Sequence, residues 1–241
     1  MFLPLAMGLV PVPAVMLDPV PPSRQVIVVT APRWGSTRAV LRRYTWTSGG
    51  WVRSGPVVDA WLGRNGLAAA RKRQQNSGQT PAGVFALPQA FGTAPARGVR
   101  LPYHRVTPRS YWPYDPRDPR TYNVLQTRRW SGARWRDDGN WSERLIDYGM
   151  QYRRAVVIGY NLPSGVYRDG RSGERRARHP ARISKGGGIF LHVAEGRPTA
   201  GCIAVSGAQM RRTLRWLDPA ARPRIVVGPP SVTRGWRGKV T

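Results

Sequence analysis

The sequence predicts a mainly β domain, a small sheet sandwich or open barrel, with one helix placed just after the chain's lone cysteine. Three observations carry this expectation. Short β-branched runs recur along the chain, among them 25–30 (QVIVVT), 40–46 (VLRRYTW), 152–160 (YRRAVVIGY) and 224–227 (RIVV). Turns rich in glycine, proline and asparagine separate them. Only 208–217 (AQMRRTLRWL) shows clear helical spacing, with Met210, Leu214 and Leu217 on one face and Pro219 ending it.

In chain order, 25–30 opens the fold as a strand, and 40–46 runs through Ser48, Gly49 and Gly50 into Trp51 and Val52 as a hairpin. An apolar stretch at 57–62 leads to the turn Gly63-Arg64-Asn65-Gly66. After an Arg-rich loop, Thr80-Pro81-Ala82-Gly83 reads as a tight turn feeding a strand at 84–87. Residues 97–141 are rich in Pro, Asp, Arg and aromatics without periodicity, so they are expected to form a long irregular excursion, the kind of loop that often carries function. A buried strand is expected at 152–160, and an exposed loop at 165–179, which holds five arginines. Three glycines at 186–188 precede another strand at 189–193, and 224–227 closes the fold.

Length and composition fit one domain, taken as 24–241, with ten Trp and nine Tyr available to fill its interior. Lys and Arg number 39 against 12 acidic residues, a formal charge of +27. Such a field attracts polyanions. The arginines are spread through every segment rather than gathered on one helix or arm, so the sequence points away from nucleic acid and is compatible with anionic wall polymers. The N-terminal 1–16 is apolar but broken by prolines and too short to span a bilayer, and with the Pro-rich stretch to Ser23 the segment 1–23 fits either a signal segment or a disordered tail. Cys202 is the only cysteine, which excludes an intramolecular disulfide, a Cys-rich zinc site and an iron-sulfur cluster.

His192 ends an apolar strand, and Cys202 follows ten residues later. A connection of that length can fold back and bring imidazole to sulfur, as a thiol nucleophile requires, because the thiolate is the attacking species. Gly201 clears space beside the sulfur for substrate and for amide donors facing an oxyanion. By spacing alone, a buried structural cysteine beside a hydrogen-bonded histidine is the commoner arrangement and the favoured reading.

The wider pattern changes that balance. Ile189-Phe190-Leu191-His192 with Thr199-Ala200-Gly201-Cys202-Ile203-Ala204-Val205 resembles the active-site signature of YkuD-type L,D-transpeptidases, in which a histidine precedes a Ser/Thr-His-Gly-Cys segment. Thr80-Pro81-Ala82-Gly83-Val84-Phe85 resembles that family's upstream turn and strand, and Gly63-Arg64-Asn65-Gly66 its glycine-containing turn. The likeness spans about 25–228. It implies Cys202 as nucleophile, His192 as base, the Gly201 and Cys202 amides as oxyanion donors, Thr199 at the Ser/Thr position, and the Val193 carbonyl as the group orienting His192. It further implies no metal or organic cofactor, an extracytoplasmic site of action, and peptidoglycan stem peptides as partners. The acyl group of a donor stem would pass through a thioester to an amine of a neighbouring stem or to water. Two departures stand out: Ala200 replaces the usual histidine, and the His-to-Cys loop is short.

Arg197, Tyr160 and Asn161 are candidates for holding peptide, with Tyr122-Asn123 and Ser142-Glu143 at positions suited to the same task. His104 could bind substrate in the long loop but is read as solvated, and His179, in the Arg-rich loop, is read as inert. Two rival readings keep the scaffold: a hydrolase or L,D-carboxypeptidase that uses water, and a catalytically silent basic wall-binding protein.

Overall fold

A computed structural model describes residues 22–240. The expected signal or tail at 1–23 lies almost wholly outside the described residues. Ser23, at its end, is buried and donates its backbone N–H to the Val240 carbonyl.

The strands are β1 (Gln25–Thr30), β2 (Arg38–Thr47), β3 (Gly50–Arg53), β4 (Val58–Trp61), β5 (Leu67–Ala69), β6 (Thr80–Ala86), β7 (Ala90–Gly92), β8 (Tyr103–Arg105), β9 (Tyr111–Pro113), β10 (Ser142–Arg144), β11 (Ala155–Val157), β12 (Ser164–Arg168), β13 (Arg175–His179), β14 (Phe190–Val193), β15 (Ile203–Val205) and β16 (Arg224–Gly228). Helix α1 (Gly207–Trp216) follows β15, and the four-residue α2 (Pro230–Thr233) follows β16. Twelve strands join one mixed sheet in the order β5-β6-β16-β1-β2-β4-β15-β14-β11-β7-β8, with β3 hairpinned onto β2. The mainly β class with a helix after the cysteine is thus the observed one.

The sheet's inner face is aliphatic. Ile27, Val29, Leu41, Val156, Leu191, Ile203, Val205, Ile225 and Val227 form one buried cluster, sealed by Met210 and Leu214 of α1 and by Leu217 just past its end. Ser206 caps this helix by accepting from the Gln209 N–H, which satisfies one of the donors a helix start leaves free. The opposite face near β14 is covered by the excursion and carries a second, aromatic cluster of Phe91, Trp112, Tyr152 and Phe190, with Cys202 at its edge. Alternation along β14 explains the division: Leu191 and Val193 turn to the aliphatic side, Phe190 and His192 to the aromatic side.

Three expectations are corrected. The strand after Thr80 begins at Thr80 itself, because that segment pairs in parallel with β5 and antiparallel with β16. The buried strand expected at 152–160 is shorter, 155–157, since Tyr152 belongs to a 3-10 turn. The arginine-rich 165–179 is a hairpin, β12 on β13, rather than a loop. Its turn is tied by Asp169, whose carboxylate accepts from the N–H and hydroxyl of Ser172, while Ala177 is buried and bonded to the Arg120 carbonyl. Its arginines lie mostly toward solvent, and their charge conceals the alternation. The excursion itself holds only short strands and turns, as expected. No helix among the described residues is long and apolar enough to cross a membrane.

Candidate active site

Strands β14 and β15 run in parallel, with Leu191 opposite Ile203 and His192 opposite Ala204. Cys202 immediately precedes β15, level with Phe190, so it stands two pairs away from His192 on the same, aromatic side of the sheet. Its sulfur receives the Phe190 N–H at 3.3 Å and faces the Gly188 carbonyl at 3.4 Å, which the thiol can donate to. His192 is buried, its ring lies edge-on to Tyr152, and its Nδ1 sits 2.8 Å from the Val193 carbonyl. A carbonyl only accepts, so Nδ1 carries the proton and Nε2 is left as the basic nitrogen.

The motifs that the sequence places far apart meet here. Thr80 Oγ1 accepts from the Gly63 N–H at 2.8 Å and donates to the Cys202 carbonyl. Thr199 Oγ1 donates to the same carbonyl at 2.7 Å and accepts from the Gly201 N–H at 3.1 Å. The backbone of Thr199 bridges to the Gly63 turn through Arg64 and Leu62. Gly63 cannot carry a side chain, because a Cβ would lie 2.3 Å from the Gly78 carbonyl. Gly201 has φ 141° and lies against the Gln79 carbonyl and Arg73, so glycine is required there too.

Other candidates are placed differently. Tyr160 is buried and gives its hydroxyl to the Ala70 and Lys185 carbonyls. Asn161 uses its side chain on Arg182 and Gly186. Both therefore brace the 182–186 segment. Arg197 is exposed and pairs with Glu195 at 3.0 Å. Asn123, at φ 58°, accepts from Trp112 Nε1 and the Gly188 N–H while donating to the Tyr160 and Asn161 carbonyls, so it fixes the glycine segment that faces the thiol. His104 is half-buried and bonded to Ser110, not solvated; His179 is exposed.

A cleft of about 100 Å³ opens onto the sulfur, lined by Cys202, Ala200, Gly188, Tyr114, Arg73 and Glu143 among others. Glu143 is the group whose importance sequence reasoning underrated. Burial pushes its carboxyl up to about 7, against the hydrogen bond it accepts from the Tyr152 hydroxyl at 2.5 Å. Burial pushes the Cys202 thiol up to about 12, with the nearby Glu143 charge adding to this and the Phe190 N–H and Arg73 opposing it. Burial likewise lowers His192, against the Val193 hydrogen bond and the charge of Glu195. At neutral pH the resting pair is a neutral thiol and a neutral imidazole. Among the described residues, no three His, Cys, Asp or Glu side chains gather into a metal-binding group.

The profile of one protein family matches residues 26–227: YkuD, the L,D-transpeptidase catalytic domain. No curated protein and no solved structure matches the chain.

Proposed function

Because this chain belongs to the family of L,D-transpeptidase catalytic domains, we propose that it is a cysteine acyltransferase acting on peptidoglycan stem peptides outside the cytoplasm. Cys202 Sγ attacks the donor carbonyl, its proton passes to His192 Nε2 and on to the leaving amine, and the carbon–nitrogen bond breaks to leave a thioester. An acceptor amine then attacks, His192 takes its proton, and the sulfur departs and is reprotonated. The resting thiol is neutral, so deprotonation accompanies attack rather than preceding it. The Gly201 N–H is engaged by Thr199 Oγ1, which leaves the oxyanion to the Cys202 amide. A cleft of about 100 Å³ admits the reacting residue but not a whole stem, whose remainder lies along the surface. The basic exterior suits anionic wall polymers.

The observation that carries the reading is the Nδ1 clamp on His192. It fixes the free nitrogen as a base on the same side of the sheet as the only thiol. Incubation with purified tetrapeptide stems and mass analysis of the products tests it. Release of the fourth residue together with a cross-linked dimer, both absent in Cys202→Ala, is the expected result. Release without dimer at high acceptor concentration marks a hydrolase, and stem binding without any release marks a silent wall-binding protein.

A further inference from the structure

Arg73 is 3% exposed, yet among the described residues no carboxylate pairs with it. An uncompensated buried charge is costly, and buried cations are ordinarily paired. The guanidinium is nevertheless held firmly. Its Nε donates to the Gln79 carbonyl and its Nη1 to the Lys185 carbonyl, both at 2.8 Å, and it lies over the Tyr160 ring. These contacts leave Nη2 beside the nucleophile's own loop, 3.1 Å from where a Cβ on Gly201 would stand, and Arg73 lines the cleft that reaches Cys202. Arg64 also lines the cleft but is exposed, so water screens its charge. Glu143, on the same cleft, forms no ion pair with Arg73.

We propose that Arg73 is the specificity-determining residue of this cleft, its free Nη2 gripping a carboxylate of the acyl donor beside the carbonyl that Cys202 attacks. Two backbone carbonyls hold the guanidinium in place before substrate arrives, so the contact costs little ordering. A donor whose carboxylate is blocked loses a charge-assisted hydrogen bond and leaves the buried cation unpaired. The inference rests on the acyl-donor reading of Cys202.

The test compares second-order rate constants for acylation of Cys202 by a carbapenem and by its neutral carboxylate ester, followed by intact-protein mass. The wild type is expected to favour the free acid by about tenfold or more, the worth of one hydrogen bond to a charged group. Arg73→Gln should reduce that preference to within about twofold by slowing the acid alone, and Arg73→Lys should keep part of it. Equal rates for acid and ester in the wild type, or an undiminished preference in Arg73→Gln, overturn the inference.

Arg73 also braces two loops, so a variant can fail to fold. The wild type therefore supplies a second measurement: its iodoacetate to iodoacetamide rate ratio, normalised to a free small thiol. A ratio above one supports the anion grip, and a ratio at or below one counts against it. A native thiol inert to iodoacetamide and to both carbapenem forms overturns the nucleophile reading itself, and this inference with it.

Discussion

The two sides of β14 are built on different principles. On one, Leu191 and Val193 join an aliphatic cluster of β-branched strands closed by α1. On the other, Phe190 meets Phe91, Trp112 and Tyr152 at ring separations of 4.9–5.6 Å, and around them lie Cys202, His192 and Glu143. The first side supplies rigidity and holds no ionisable group of the site. The second is assembled by the irregular excursion and takes titratable side chains out of water. That desolvation holds the thiol, the imidazole and the carboxyl away from their ordinary protonation ranges. The sheet thus carries an aliphatic face and a face of buried ionisable groups within one strand's thickness.

Neighbouring truncations in β14 break this comparison most forcefully. Phe190→Ala should cost about 3–5 kcal/mol and Leu191→Ala about 2–5 kcal/mol, both by cavity formation, as measured by denaturant unfolding. Only Phe190→Ala should also change the native-state alkylation rate of Cys202, because its ring packs in the same buried cluster as the sulfur. Equal effects of the two on alkylation would show that the faces are not functionally distinct.

Protonation of Glu143 sharpens the contrast next. Its folded value is raised to about 7 from an ordinary 4.5, so between these pH values the folded state keeps a proton that the unfolded chain has lost. Stability contributed by this group is therefore full below about pH 4.5 and declines as pH rises toward 7, by about 1–3 kcal/mol. Glu143→Gln should flatten that slope in unfolding measurements across pH 4.5–8. An unchanged slope would place the carboxyl in ordinary solvent.

The thiol gives a smaller but direct readout. Alkylation of native Cys202 by iodoacetamide should keep rising beyond pH 9, where an unperturbed thiol of pKa about 8.5 is already levelling off. In Glu143→Gln the curve should move to lower pH, because a negative charge no longer opposes the thiolate. The smallest effect is expected at the surface. Arg197→Ala removes an exposed pair with Glu195 and should alter stability by no more than about 0.5 kcal/mol and leave acylation unchanged; a large loss of acylation would bring Arg197 back as a substrate contact.

The same division governs what could be read from the sequence. The aliphatic face was legible because β-branched runs and one 3.6-residue pattern mark it, as at 25–30, 224–227 and around Met210 and Leu214. The histidine–cysteine pair and the threonines bracing its backbone were legible as candidates because they sit in short contiguous motifs, and the Val193 carbonyl stands where the family resemblance implies. The rest depends on long-range folding. Glu143 meets the cleft only because β10 pairs with β9 in the excursion, and Arg73 is one arginine among many until its burial singles it out. Tyr160 and Asn161 show the converse: polar residues at a strand end whose side chains are taken up by backbone carbonyls.

The central claim is that Cys202 is an acyl-accepting nucleophile served by His192. Incubation of the whole chain with a carbapenem and intact-mass measurement tests it most directly. The account predicts one adduct of the carbapenem's mass on the wild type, none on Cys202→Ala, and much slower formation on His192→Ala. A wild type that stays unmodified while its natively folded state also resists iodoacetamide would contradict it.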